Sequence, residues 1–335
     1  MDKSLRGVNL GGWLVLERWI TPSLFQGTTA TDEYSLCEEL GLATATERIL
    51  RHRETFITED HIRMISELGL SLVRLPLGYW LFGSEAPYIA NADRYVDRLF
   101  VWAEKYDIKV ILDFHAAPGS QNGWDHSGRA GDVKWENSEH IEKSLQFLEE
   151  LLAKYGHYHR LIGVEPLNEP RWDVDINKLV DYYERAGLLI NRLAHQSVSL
   201  IVSDSFRPEQ MSKLLQKRKL NAVMDIHLYQ LFTPEDRALD LEGHLRKTTH
   251  DWSNLLEQLS RHHRLLVGEW SAAMSELYNE LGEAQRNYSR DNYVSYANAQ
   301  RSSFEDHNTS WTYWTARTED GGVWSLLDHP ELIKK

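Results

Sequence analysis

Residues 162–172, IGVEPLNEPRW, pass from a short apolar, β-branched run into a cluster of polar groups. Glu165 and Glu169 stand four positions apart, a proline follows each, and Asn168 directly precedes the second. A strand that opens at its C-terminal end onto reactive side chains is the habit of parallel α/β sheets. The same pattern recurs along the chain, so that strands are expected at 5–9, 71–75, 109–113, 161–167, 199–203, 222–226, 264–268 and 310–314. The segments between them carry helical periodicity. Thr58 can cap a helix whose first turn holds Glu59 and Asp60, with Ile62, Ile65 and Leu68 on one face and Gly69 as its stop. Val96, Leu99, Phe100 and Ala103 form one buried stripe, and Ile141, Leu145, Leu148 and Leu152 another. Strands alternating with helices are compatible with a doubly wound open sheet or with a closed (β/α)8 barrel. The polar residues separate the two. Arg74 ends the second strand, His115 follows Asp113, Asn168 and Glu169 follow the fourth, His227 and Tyr229 the sixth, Glu269 the seventh, and Trp314 ends the eighth. An open sheet would scatter these groups, whereas a barrel gathers them at one mouth. The expected fold is a single α/β domain over residues 1–335, a (β/α)8 TIM barrel.

Composition narrows the partner. The 335 residues carry a formal charge of −13, which disfavours nucleic acid or an anionic membrane surface. Cys37 is the only cysteine, so no internal disulfide is expected and a cytoplasmic setting fits. Lys3 and Arg6 precede the apolar run LGGWLVL in the manner of a leader, but Glu17 and Arg18 follow at once without a small-residue cleavage site, and the run is read as structure. No uncharged apolar stretch approaches the roughly 18 residues of a membrane span. There is no internal repeat and no linker-like tract. Among 15 histidines, His157 with His159 and His262 with His263 form pairs, yet they precede strands four and seven, at the end of the barrel opposite the polar cluster, and HExxH is absent. No metal is expected.

The two glutamates of the opening stretch differ in position. Glu165 falls inside the strand, where a buried acid paired within the barrel is the natural reading. Glu169 lies at the mouth, and Pro170 biases its backbone towards an extended conformation.

RGVNLGGWLVLERWITPSLF, VRLPLGYW, LDFHAAPGSQNGWDHSG, LNEP, HLYQLF, VGEWSAA and YWTARTEDGGVWS occur in one order from Arg6 to about Ser325. This chain resembles glycoside hydrolase family 5, and most of all its fungal exo-β-1,3-glucanase branch. The resemblance implies a retaining β-glycosidase without cofactor, acting on a β-glucoside or β-glucan oligosaccharide, with Glu169 as acid/base and Glu269 as nucleophile. Retention requires one protonated carboxyl and one carboxylate about 5–5.5 Å apart. Arg74 and Tyr229 are expected to keep Glu269 ionised, while burial and the like charge opposite should raise the pKa of Glu169. By matched position, Asn168 would bind the sugar 2-OH, His115 the 3-OH and Glu17 a hydroxyl on the far edge. Trp314 would lie beneath the ring after a cis Trp314–Thr315 bond, and His227 would support the acid/base. Trp124 and Phe232 match a clamp on the leaving sugar, Trp324 matches a wall position, and Asp125 joins the substrate-binding set beside Trp124. With 12 tryptophans in the chain, a randomly chosen indole is more often core than subsite, and only position argues otherwise for these. The chain departs from the fungal pattern at His126, where asparagine is usual, and at Trp124, where phenylalanine is. Two other readings are a glycosidase acting on a glucosylated lipid or other β-glycoside, and a carbohydrate-binding barrel without activity.

Overall fold

The computed structural model describes residues 4–83, 85–275 and 288–334. Eight parallel strands, β1 (Arg6–Asn9), β2 (Leu72–Gly78), β3 (Lys109–Ala116), β4 (Leu161–Glu165), β5 (Ser199–Ser203), β6 (Val223–Leu228), β7 (Arg264–Trp270) and β8 (Ser310–Tyr313), pair in chain order and close β8 onto β1. The linear pattern thus resolves to the (β/α)8 barrel, with each expected strand present and only its ends displaced.

The helices form for the local reasons the sequence suggests. Thr58 caps Glu59–Glu67 in a reciprocal box with His61, whose Nδ1 accepts from the Thr58 N–H at 3.1 Å. Gly69, at φ 76°, ends that helix where a side chain would resist the left-handed turn. Asp93–Lys105 buries Val96, Leu99, Phe100 and Ala103, and Ser138–Tyr155 buries Leu145, Leu148 and Leu152 with Ile141 half-buried beside them. These stripes share one core between the barrel wall and its helices.

Inside the barrel, Leu72, Ile111, Ile201, Val223 and Leu266 make an apolar floor. Because side chains on one face recur every second residue, the next layer along the same strands is Arg74, Asp113, Ser203 and Asp225, and the layer above it holds His115 and His227. Strand β7 breaks this parity. Its register against β6 shifts, so that Ile226 faces Val267 while His227 faces Glu269, leaving Gly268 as the extra residue of a bulge. Glu269 therefore joins the inner face, and Trp270 turns outward against Phe304, Trp311 and Tyr313, at centroid distances of 5.4, 5.3 and 4.9 Å. Only glycine fits the bulge: a Cβ on Gly268 would lie 2.1 Å from Asp225 Oδ2.

The N-terminal run LGGWLVL is buried at the barrel mouth, where Trp13 Nε1 donates to the Arg53 carbonyl at 2.8 Å. No helix among the described residues is long and apolar enough to cross a membrane.

Candidate active site

Arg74 is the hub of the mouth. Its guanidinium is wholly buried and its fork of donors is almost fully used: Nε donates to Glu165 Oε2 at 2.9 Å, Nη2 to Asn168 Oδ1 at 2.7 Å, and Nη1 to Asn9 Oδ1 and Glu269 Oε1, both at 3.1 Å. Asp113 lies 3.1 Å and Asp225 4.0 Å from the same group. Glu165 is thus a buried acid paired within the barrel. The second oxygen of Glu269 accepts from the Tyr229 hydroxyl at 2.9 Å.

Strand β4 ends at Glu165, short of the expected Leu167, so Glu169 belongs to the following loop. Its φ is 44°, which overturns the extended conformation expected before Pro170. The cause lies in the loop after β3. Asn122 Nδ2 donates to the Glu169 carbonyl at 3.1 Å, Gln121 Nε2 donates to the Asn168 carbonyl at 2.9 Å, and the Asn168 N–H donates to the Phe114 carbonyl at 3.0 Å. Together these offset the roughly 1–3 kcal/mol that a left-handed non-glycine residue costs. The Glu169 carboxyl then meets two imidazoles: His227 Nδ1 is 2.6 Å from Oε1, and His126 Nε2 is 3.3 Å from Oε2. One oxygen each of Glu169 and Glu269 and one nitrogen of His227 all lie within 4.8 Å of one another.

Below this pair, His115 Nδ1 contacts Asp113 Oδ2 at 2.7 Å, and its ring lies nearly parallel to Trp314 at 5.5 Å. The Trp314–Thr315 bond is cis. Thr315 Oγ1 donates to the Asn9 carbonyl at 2.9 Å and accepts from the Gly11 N–H at 3.0 Å, anchoring the turn that carries the indole.

A family model described as cellulase (glycosyl hydrolase family 5) matches residues 37–320. The chain belongs to glycosyl hydrolase family 5. It is similar to the probable glucan 1,3-beta-glucosidase A of Emericella nidulans, with 33% identity covering 98% of this chain and 89% of that protein. It is also similar to glucan 1,3-beta-glucosidase 1 of Schizosaccharomyces pombe, with 31% identity over 99% and 87% of the two chains. In fold it superimposes on the rutinosidase from Aspergillus niger with a TM-score of 0.82 at 20% identity, covering 99% of this chain and 98% of that one.

In this family 5 hydrolase the proton balance differs from the one expected from burial and like charge. Burial pushes the Glu169 carboxyl up, but the hydrogen bond from His227 and the charges of His227, His126 and His115 outweigh it and bring the group down to about 2. For His227, burial acts against the charged form, and the carboxylates of Glu269, Asp225 and Glu169 overcome it, holding the imidazole well above its usual range. The free site therefore pairs a Glu169 carboxylate with a His227 imidazolium, because imidazole nitrogens contact both carboxylate oxygens directly. Burial keeps the Tyr229 phenol protonated and hence a donor to Glu269. Burial and the charge of Asp125 raise Glu17, with the bond from Trp19 Nε1 (2.8 Å) opposing them. A carboxylic acid there can donate to a hydroxyl as well as accept from one.

Among the described residues, two sets of ligand atoms have metal-like spacing, Glu165, Asp225 and His227, and Glu169, His227 and Glu269. Arg74 stands 2.8 Å from Glu165 and 3.1 Å from Glu269, so a cation in either set would face a fixed positive charge. His157, His159 and His262 are exposed, and His263 Nε2 contacts Ser212 Oγ at 2.9 Å.

The family 5 mouth is rimmed by aromatics in two groups. Trp324 packs on Trp19 at 5.2 Å and on Tyr229 at 5.9 Å, and the exposed Phe232 packs on Tyr229 at 5.3 Å. Trp124 lies on the other side, 5.5 Å from His126, and Asp125 beside it is half-buried. Asn9, Asp113 and Asp225 also belong to the site, although none is among the residues expected there from the sequence. For the two aspartates a signal existed: each stands two residues before a site histidine, Asp113 before His115 and Asp225 before His227, and so on the same strand face. His126 was singled out only as a departure, and nothing in its spacing shows that it reaches Glu169.

Proposed function

We propose that this hydrolase is an exo-acting retaining β-1,3-glucanase or β-glucosidase, with Glu269 as nucleophile and Glu169 as acid/base. The observation that carries the reading is the approach of the two carboxylates to within 4.8 Å. That approach suits direct attack on the anomeric carbon; inverting enzymes separate their carboxyls by about 6.5–9.5 Å to admit a water. Arg74 and Tyr229 each hold one oxygen of Glu269, which keeps it anionic and aimed. For glycosylation, the proton held by the His227–Glu169 pair passes to the leaving oxygen through Glu169, across a 2.6 Å contact, while Glu269 attacks. Esterified Glu269 carries no charge, and Glu169 then takes a proton from the incoming water. Linkage and exo action rest on the names of the relatives, glucan 1,3-beta-glucosidases at 31–33% identity.

A product-resolved assay on β-linked glucose disaccharides tests the substrate. Laminaribiose should be cleaved fastest, with β-glucose released first; preference for cellobiose, or initial α-glucose, would contradict the reading.

His126 gives a pH prediction. Its imidazole beside Oε2 helps to hold the Glu169 carboxyl down. In His126→Asn the His227–Glu169 pair should keep its proton to higher pH, and the alkaline limb of kcat/KM should move upward. An unmoved limb, or one shifted downward, would remove His126 from the proton balance.

A further inference from the structure

Asp225 lies in the layer beneath the reacting carboxyls and takes no part in the steps above. It stands two residues before His227 on β6, on the same inner face, and is wholly buried. One carboxylate oxygen is anchored: Oδ1 accepts from the Gly268 N–H at 2.6 Å. Gly268 is the extra residue of the β7 bulge, and its backbone groups need partners from outside the ladder. Its carbonyl likewise accepts from a side chain, Asn9 Nδ2, at 2.8 Å. The anchor fixes where the other oxygen of Asp225 points. Among the described residues Asp225 Oδ2 and His227 Nε2 are both buried without a hydrogen-bond partner, and they face each other at 3.5 Å. At the opposite end of the same ring, Nδ1 lies 2.6 Å from Glu169 Oε1.

An acid in this layer could serve only as a counter-ion to Arg74. The distances argue otherwise. Arg74 stands 2.8 Å from Glu165 and 3.1 Å from both Asp113 and Glu269, but 4.0 Å from Asp225. Asp225 is thus the most remote of the four carboxylates and lies nearer to His227. An imidazolium donates from both nitrogens; with Glu169 at one end, a carboxylate at the other keeps the ring charged and stops it from turning away. Further anions face the ring: Glu269 Oε2 on β7 lies 3.6 Å from Nδ1, and Asp113 on β3, Glu165 on β4 and Asp204 after β5 act at longer range. Arg74 below, and His126 and His115 beside Glu169, oppose them. Of these groups, only Asp225 makes an ion pair with Nε2 among the described residues. We propose that Asp225 is a positioning residue for the acid/base: it holds His227 charged and aimed at Glu169, so that the pair retains the proton destined for the leaving oxygen. The proposal rests on the reading that makes Glu169 the acid/base.

Asp225→Asn tests this, because the amide oxygen can still accept from the Gly268 N–H while the charge is gone. The pH dependence of kcat/KM is measured with phenyl β-glucoside, whose leaving oxygen needs a proton, and with 2,4-dinitrophenyl β-glucoside, whose leaving oxygen does not. With the phenyl substrate the alkaline limb should move downward by about 1–3 pH units, opposite in direction to the shift expected for His126→Asn. With the dinitrophenyl substrate kcat/KM should stay within about threefold of wild type at every pH. Asp225→Ser, which removes the charge with less side chain, should move the limb in the same direction, and it decides the matter if the asparagine variant does not fold. An unmoved limb, or equal losses on both substrates, would overturn the proposal and make Asp225 a structural acid. Failure of the underlying reading shows separately: with Asp225 in place, Glu169→Ala would then lose as much on the dinitrophenyl substrate as on the phenyl one.

Discussion

With an activated aryl β-glucoside and azide, Glu169→Ala should yield the β-glucosyl azide and Glu269→Ala the α-anomer. In the first variant Arg74 and Tyr229 still hold Glu269, so the glycosyl-enzyme forms, and azide enters from the face where water normally would. In the second the nucleophile's face is vacant and azide fills it, with a single inversion. The magnitudes should differ as well. Loss of the acid should cost about 10²–10⁴ with poor leaving groups and far less with good ones. Loss of the nucleophile should cost on the order of 10⁴ or more with either kind. The same anomer from both variants would exchange or abolish the assigned roles.

Arg74→Met should give the largest loss of stability of any single change at the site, and the loss should grow with pH. The side chain neutralises Asp113, Glu165 and Glu269 within 3.1 Å and Asp225 at 4.0 Å, all of them buried. Removing one partner of such a set typically costs about 3–5 kcal/mol, which for a chain of this size is roughly 4–7 °C in Tm. Burial already lifts Asp113 to about 7 and Glu165 well above its usual range, against the pull of Arg74. Without Arg74 both rise further. Groups whose folded pKa exceeds the unfolded one contribute full stability below the unfolded pKa and lose it as pH rises through the folded value. The deficit against wild type should therefore be small near pH 4 and largest above pH 7, and Glu165→Gln in the Arg74→Met background should recover part of it. Calorimetry across that range decides; a deficit independent of pH would mean that Arg74 acts by packing rather than by charge.

How much of this was readable beforehand varies with the physics involved. Strands and helices followed from periodicity because the barrel imposes one parity on each strand and one face on each helix. Gathering Arg74, Asn168, Glu169, His227, Tyr229 and Glu269 at one mouth followed from their places at strand ends. Glu269 is the instructive case. Simple alternation from Leu266 would turn it outward, and only the bulge at Gly268 brings it in. The φ of Glu169 departs from the extended value because the bias from Pro170 is local, whereas Asn122 and Gln121 act on that loop from 47 residues away. Likewise the proton balance at Glu169 depends on His126, a contact across loops that no spacing rule encodes.

In this mechanism Glu269 forms the covalent bond to the sugar. Inactivation with a 2-deoxy-2-fluoro-β-glucosyl donor bearing a good leaving group, followed by trypsin and mass analysis, tests it directly, since the fluorine slows turnover and traps the intermediate. The two glutamates fall in different tryptic peptides, LIGVEPLNEPR for Glu169 and LLVGEWSAAMSELYNELGEAQR for Glu269. The fluoroglucosyl mass should appear on the second, at Glu269; its appearance on the first, or inactivation without a label on either, would show that Glu269 is not the nucleophile.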